Sequence, residues 1–184
     1  MPRRDVRATL VAACAAVLER AGSVDAVSLR AAAREAGVTA PAVYGHFADL
    51  DALVDAVLDE AFMALSAATL AAAADHEDPV DRLLAACSAY VAHGISAPAR
   101  YRAMFGRRHL PHAREAFDVL VAGVQACVDA GRSRSTDARA DAGLVWTALH
   151  GIVSLRMTAP HIAWPPLEEV LQNAVTRLAL IGPA

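Results

Sequence analysis

The chain has 184 residues, enough for one compact unit or a small domain joined to a larger one. It is 56% hydrophobic and rich in alanine, and strand-favouring residues seldom cluster, which points to an all-α fold. No run of about 18 consecutive strongly apolar residues is present, which excludes a membrane-spanning helix. The net charge of −3 argues weakly against a nucleic-acid partner, yet residues 1–47 hold six arginines against four acids, and residues 48–184 eleven against sixteen.

Breakers cut the chain into helix-length pieces. The first helix is expected over residues 4–21, with Val6, Leu10, Cys14, Val17 and Leu18 on one face and Gly22 as its stop. Its basic start and apolar run also fit a signal peptide. However, Glu19 and Arg20 close the run and the apolar spacing is helical, so an amphipathic helix is the preferred reading. Ser28 caps a second helix that ends at Gly37. A third follows Thr39, another capping residue, and ends around His46; Pro41 falls in its first turn, where a missing N–H costs nothing. A fourth starts near Asp49 and carries Leu50, Leu53, Val54, Val57, Leu58, Ala61, Phe62 and Leu65 as one stripe. Asp49 and Asp51 suit the dipole at its start.

Five further helices are expected, over residues 79–96, 98–105, 111–130, 136–158 and 166–181. The helix around Trp146 has two apolar stripes, one of Trp146, His150, Val153 and Met157, the other of Leu144, Ala148, Gly151 and Leu155. A helix apolar on two sides is buried on two sides. The last helix carries Leu167, Val170, Leu171, Ala174, Val175 and Leu178. Two such terminal helices suggest a subunit interface, with a monomer core as the alternative that periodicity leaves open. The stretch "LAAAADHED" reads as a helix end, not a linker. The cysteines, Cys14, Cys87 and Cys127, are odd in number and sit inside helical patterns, as buried thiols in a reducing cytoplasm do.

The second and third helices form "LRAAAREAGVTAPAVYGHF". Two short helices crossing steeply through a tight turn need a small residue where they touch and a left-handed residue in the turn. Ala33 supplies the first and Gly37 the second, with Val38 and Val43 plugging the joint. Around these residues the sequence resembles, over residues 4–60, the N-terminal DNA-binding domain of the TetR family of transcriptional repressors. Tyr44, His46 and Phe47 stand in the places of that family's Y-x-H-F stretch. More loosely, "ARYRAMFG" and "WTALHGIVSLRM" resemble a subgroup whose ligand domain carries a Trp, His and Gly signature, which Trp146, His150 and Gly151 fit.

The resemblance implies a helix-turn-helix domain over residues 1–48 and a helical ligand-binding and dimerisation domain over 49–184. Double-stranded DNA is the implied partner, with the third helix in the major groove. Arg3, Arg4 and Arg7 would hold phosphates, as would Tyr44 and His46. Arg30 would reach a guanine edge, while Thr39, Ala40, Pro41, Ala42 and Gly45 would face bases. These readers are sparse, so DNA shape is expected to assist. The family places a lysine at the start of its fourth helix, against a phosphate. Here Leu50 stands in that place, between Asp49 and Asp51, and cannot make the same bond.

For the body, the resemblance implies a cytoplasmic C2 homodimer built on the last two helices and a small-molecule effector that releases the repressor from a palindromic operator. Residues expected to line the effector site are Phe62, Met63, Tyr90, Tyr101, Met104, Phe105, Phe117, Trp146 and His150. No cofactor, metal or membrane partner is implied, and the protein is not expected to be an enzyme. Two rivals stand beside this reading. "HLPH", with His109 and His112 near Arg107, Arg108 and Glu115, could be read as a metal or acid–base site of a small helical enzyme, but Pro111 spoils the helical spacing. Leu50 and the acidic fourth helix keep open a helical protein-interaction module without DNA binding.

Overall fold

The computed structural model describes residues 5–106 and 111–182, so Arg3, Arg4 and His109 lie outside the described residues. The described elements are α1 (Val6–Ala21), a one-turn 3₁₀ helix (Val24–Ala26), α2 (Leu29–Ala36), α3 (Ala40–Val43), α4 (Leu50–Ala74), α5 (Pro79–Ser96), α6 (Pro98–Gly106), α7 (Pro111–Asp129), α8 (Ala138–Thr158) and α9 (Leu167–Leu178). The all-α expectation holds: among the described residues the one β feature is an isolated antiparallel bridge, Ser133 to Ile181. The chain divides into two compact units, one of residues 1–62 with 97–112, the other of 63–96 with 113–184.

In the first unit, α1 begins where Asp5 accepts hydrogen bonds from the backbone N–H of Arg7 (3.0 Å) and Ala8 (3.2 Å). It ends at Gly22, whose φ of 81° only glycine adopts cheaply. Leu10, Val11, Cys14 and Leu18 are buried, and burial pushes the Cys14 thiol up to about 11, which leaves it inert as a nucleophile. The helices α1 and α6 close each other's open ends. The Glu19 carboxylate accepts from the backbone N–H of Ala99 (3.2 Å) and Arg100 (2.9 Å), and Arg102 Nη2 donates to the Gly22 carbonyl (3.1 Å). The packed unit therefore takes in α6 as well as the first helices, whereas the boundary at residue 48 follows the motif alone.

The start of α4 is capped by Asp49, which accepts from Ala52 N–H at 2.8 Å. Leu53, Val54, Val57, Leu58, Ala61 and Phe62 of this helix are buried. The exclusion of any membrane-length apolar segment requires correction at α4. This 25-residue helix reaches a mean hydropathy of 1.5 over 18 residues, long and apolar enough to cross a membrane by length and composition. Alanine raises that value; Leu53, Val54, Val57, Leu58 and Leu65 are buried in the protein's own core, while Leu70 is exposed.

In the second unit, α5 packs on α8 and α9, and α8 on α9. Gly123 of α7 lets the Leu83 side chain of α5 approach to 3.2 Å from where a Cβ would stand. Asp78 at the start of α5 pairs with Arg132. Burial works to raise its carboxyl, but the N–H groups of Val80 and Asp81 and the Arg132 guanidinium outweigh that and hold it low. The segment after α7 is tied to the chain's end by Ser133 Oγ donating to the Ala179 carbonyl (2.7 Å) and Arg134 N–H to that of Leu180 (3.1 Å). Cys87 and Cys127 are buried here, with thiols pushed up to about 12 and about 11.

Candidate nucleic-acid interface

The joint between α2 and α3 is built as its residue types require. Ser28 Oγ accepts from Ala31 N–H (3.2 Å) and starts α2. Gly37, at φ 69°, ends it, with its own N–H bonded to the Arg34 carbonyl (3.2 Å) and that of Val38 to Ala33 (3.0 Å). This pair of bonds is the Schellman arrangement, which satisfies the helix's last carbonyls. Ala32, Ala33, Ala36 and Val43 are buried at the crossing and Val38 is half-buried. An ion pair from Arg20 to Glu35 (2.6 Å) fastens α2 to α1.

The third helix is shorter than expected. It spans Ala40–Val43, and the residues up to His46 form a tighter turn in which Gly45 N–H bonds to Ala42 (3.3 Å) and His46 N–H to Val43 (2.9 Å). Thr39 has the backbone conformation of a cap, yet its side chain makes no capping hydrogen bond. The described contact residues, with one exception, are exposed. Arg7, Arg30, Thr39, Pro41, Ala42, Tyr44, Gly45 and His46 are exposed, and Ala40 is half-buried. Tyr44, 63% exposed, is an aromatic ring that the core does not use. Phe47, by contrast, is buried, and the Arg7 guanidinium lies over its ring, 5.2 Å from the centroid. Leu50 is half-buried at the start of α4, with Asp49 exposed beside it.

The expected effector-lining residues fall into two groups. In the first unit Phe105 stands edge-on to Phe62 (5.7 Å) and Tyr101 (4.9 Å), and Met104 is buried. In the second, Trp146 Nε1 donates to the Tyr90 hydroxyl (3.2 Å), and the Trp146 ring lies 6.1 Å from Phe117 and 6.2 Å from His150. Trp146 is 37% exposed although α8 buries its Val145, Leu149 and Val153 neighbours. Met63 is 50% exposed. Sequence reasoning missed Arg139, which covers the Phe117 ring at 5.2 Å while bonding Asp118 at 3.0 Å. Nothing in the spacing of these residues signals that cover.

Desolvation holds His150 below the ordinary imidazole value, so it is neutral at pH 7. The folded value lies below the unfolded one of about 6.5, so the stability tied to neutral His150 is present above pH 6.5 and lost as pH falls through the folded value. The melting temperature of the wild type, relative to His150→Gln, should therefore drop between pH 7.5 and pH 5; a constant difference would refute the burial effect. Of the alternative metal ligands, His112 Nδ1 lies 2.7 Å from Asp59 Oδ2, and the His112 backbone N–H donates to Asp59 Oδ1 (3.1 Å). That carboxylate thus holds the start of α7.

A glycine-locked helix pair with its second helix and following turn exposed has the build of a helix-turn-helix DNA-binding unit. The family model for bacterial regulatory proteins of the tetR family matches residues 10–57, and that for the tetracyclin repressor-like C-terminal domain matches residues 83–178. The chain belongs to the TetR family of bacterial regulatory proteins; it is a DNA-binding transcriptional regulator and not an enzyme. No curated protein matches it. It is similar to a solved protein of unknown function from Rhodococcus sp. RHA1, at 30% identity and a TM-score of 0.84, covering 97% of this chain and 95% of that one. A tetR-family regulatory protein from Rhodococcus RHA1 shares the fold at 22% identity and a TM-score of 0.72, covering 99% and 100%. So does the fatty acid degradation regulator FadR of Bacillus halodurans, at 13% identity and 0.75, covering 98% and 97%.

Proposed function

We propose that the protein is a cytoplasmic repressor that binds a palindromic operator as a C2 homodimer and leaves it when a small molecule binds. The observation that carries this is that Thr39, Pro41, Ala42, Tyr44, Gly45 and His46 are exposed on a joint whose Ala32, Ala33, Ala36 and Val43 are buried. In this reading residues 1–48 are the reading head and residues 49–184 the sensing and dimerising body. Thr39, Ala40, Pro41, Ala42 and Gly45 face bases, Arg30 a guanine edge, and Tyr44, His46 and the arginines of the N-terminus, Arg3, Arg4 and Arg7, the phosphates. The dimer forms on α8 and α9, where Leu144 and Leu155 expose 53% and 49% of their surface. Trp146, His150 and Gly151 support the reading that the chain is of the subgroup with that signature, and the half-exposed Trp146 with Tyr90, Phe117 and neutral His150 offers an uncharged aromatic ligand a stacking wall and two polar groups. A ligand shifts the DNA-competent population by its differential affinity for the two states.

The test is a gel shift with duplexes that the wild-type protein enriches from a random pool at low salt. Tyr44→Ala should weaken binding on the order of tenfold, as the loss of two hydrogen bonds, one per protomer, each of about 0.5–1.5 kcal/mol. A wild-type protein that enriches no palindrome overturns the proposal.

A further inference from the structure

We infer that the Phe47 ring is the platform that holds the Arg7 guanidinium in place for a DNA phosphate, which makes Phe47 a positioning residue for DNA binding as well as a core residue. The inference rests on the DNA-binding reading and adds to it a device for one flank of the head. Helix N-termini attract phosphates, but on this flank both are already filled by the protein's own carboxylates. Asp5 occupies the start of α1 through the N–H groups of Arg7 and Ala8, and Asp49 that of α4 through Ala52 N–H. Asp51 adds a third negative charge. Among the described residues, the first turns of α1 and α4 with their caps hold one cation, Arg7, against these three acids. Among the described residues, Arg7 is therefore the cation that this edge offers a phosphate.

An exposed arginine on an open surface loses rotamer freedom when it grips a phosphate. Arg7 is exposed, yet its guanidinium already sits 5.2 Å from the centroid of a ring that is itself buried. One face of the cation is held, and the molecule's surface leaves the rest to solvent. The platform is also in register with the reading face. Phe47 follows the exposed His46 directly, and its N–H bonds the Val43 carbonyl at 2.9 Å, the last carbonyl of α3. The cation's position is thereby tied to the recognition helix and not only to α1.

The test is a double-mutant cycle read by salt titration on a 30-bp duplex that the wild-type protein enriches from a random pool. Arg7→Ala should reduce the slope of log K against log salt by about 0.9 for each phosphate that Arg7 neutralises in the wild type. Phe47→Leu, which keeps an apolar core side chain, should weaken binding about threefold per protomer while Arg7 is present and leave it unchanged in the Arg7→Ala background. Phe47→Tyr, which keeps the ring, should bind as the wild type does, and melting curves check that each variant is folded. An unchanged slope in Arg7→Ala, or the same loss from Phe47→Leu in both backgrounds, overturns the inference while leaving the DNA-binding reading intact. A wild-type protein that enriches no duplex overturns both.

Discussion

Arginine at both Leu144 and Leu155 is expected to yield a monomer and to weaken operator binding by about 100-fold, the scale on which joining two binding modules raises avidity. Both leucines lie on α8, eleven residues and so about three turns apart, and both are largely exposed in the single chain. Ala148 and Gly151 between them are half-buried, so the strip is apolar and shallow, as a helix needs for close approach by a second helix. In a C2 pair each residue occurs twice. The two substitutions would place four cations in one interface, and unpaired charges removed from water cost several kcal/mol each. In the isolated protomer the same side chains sit in solvent and should leave the melting curve of a dilute sample little changed. Sedimentation and the gel shift read the two expected losses. A variant that remains a dimer would place the interface elsewhere.

How far the sequence disclosed this arrangement depends on the range of the contacts. The joint was legible because its requirements are local. Gly37 must be left-handed, Ala33 must be small, and the offset between them is fixed by one helical turn; φ at Gly37 is 69° and Ala33 is buried. The cap at Ser28 was readable for the same reason, whereas Asp49, read as a charge for the helix dipole, caps α4 as well. The shortening of α3 was less so, since the switch to bonds three residues back at Gly45 and His46 leaves the spacing of apolar residues unchanged. The clasp between Glu19 and the start of α6 joins residues 80 and 81 apart, which no periodicity reports. Aromatic and methionine residues of core and of binding surface share one spacing. Tyr101, fully packed, and Trp146, half-exposed, therefore looked alike. The cation over Phe47 was hidden likewise, because Arg7 read as a phosphate contact of α1 and nothing in its spacing from Phe47, forty residues on, ties the two together.

Ala33→Leu should disable the reading head while leaving the rest of the molecule folded. Ala33 is 2% exposed at the crossing of α2 and α3, with Ala32 and Val43 fully buried beside it. Three carbons added at a crossing this closely buried overpack it, at a cost of about 1–3 kcal/mol. The strain has one outlet, since α3 is a single turn of four residues. It can swing away from α2 and relieve the clash. That motion would carry Thr39, Tyr44 and His46 with it, so their geometry against a groove is destroyed even where the head stays helical. Binding to the enriched duplex should fall by more than about tenfold, since displacing several phosphate and base contacts at once removes well over 1.4 kcal/mol. Far-ultraviolet circular dichroism should change little, and the Trp146 and Trp164 fluorescence that reports on the second unit should melt as in the wild type. If Ala33→Leu binds DNA normally, the crossing has slack that its buried alanines do not suggest. If the tryptophan signal melts early as well, the damage is general and the two compact units do not unfold separately.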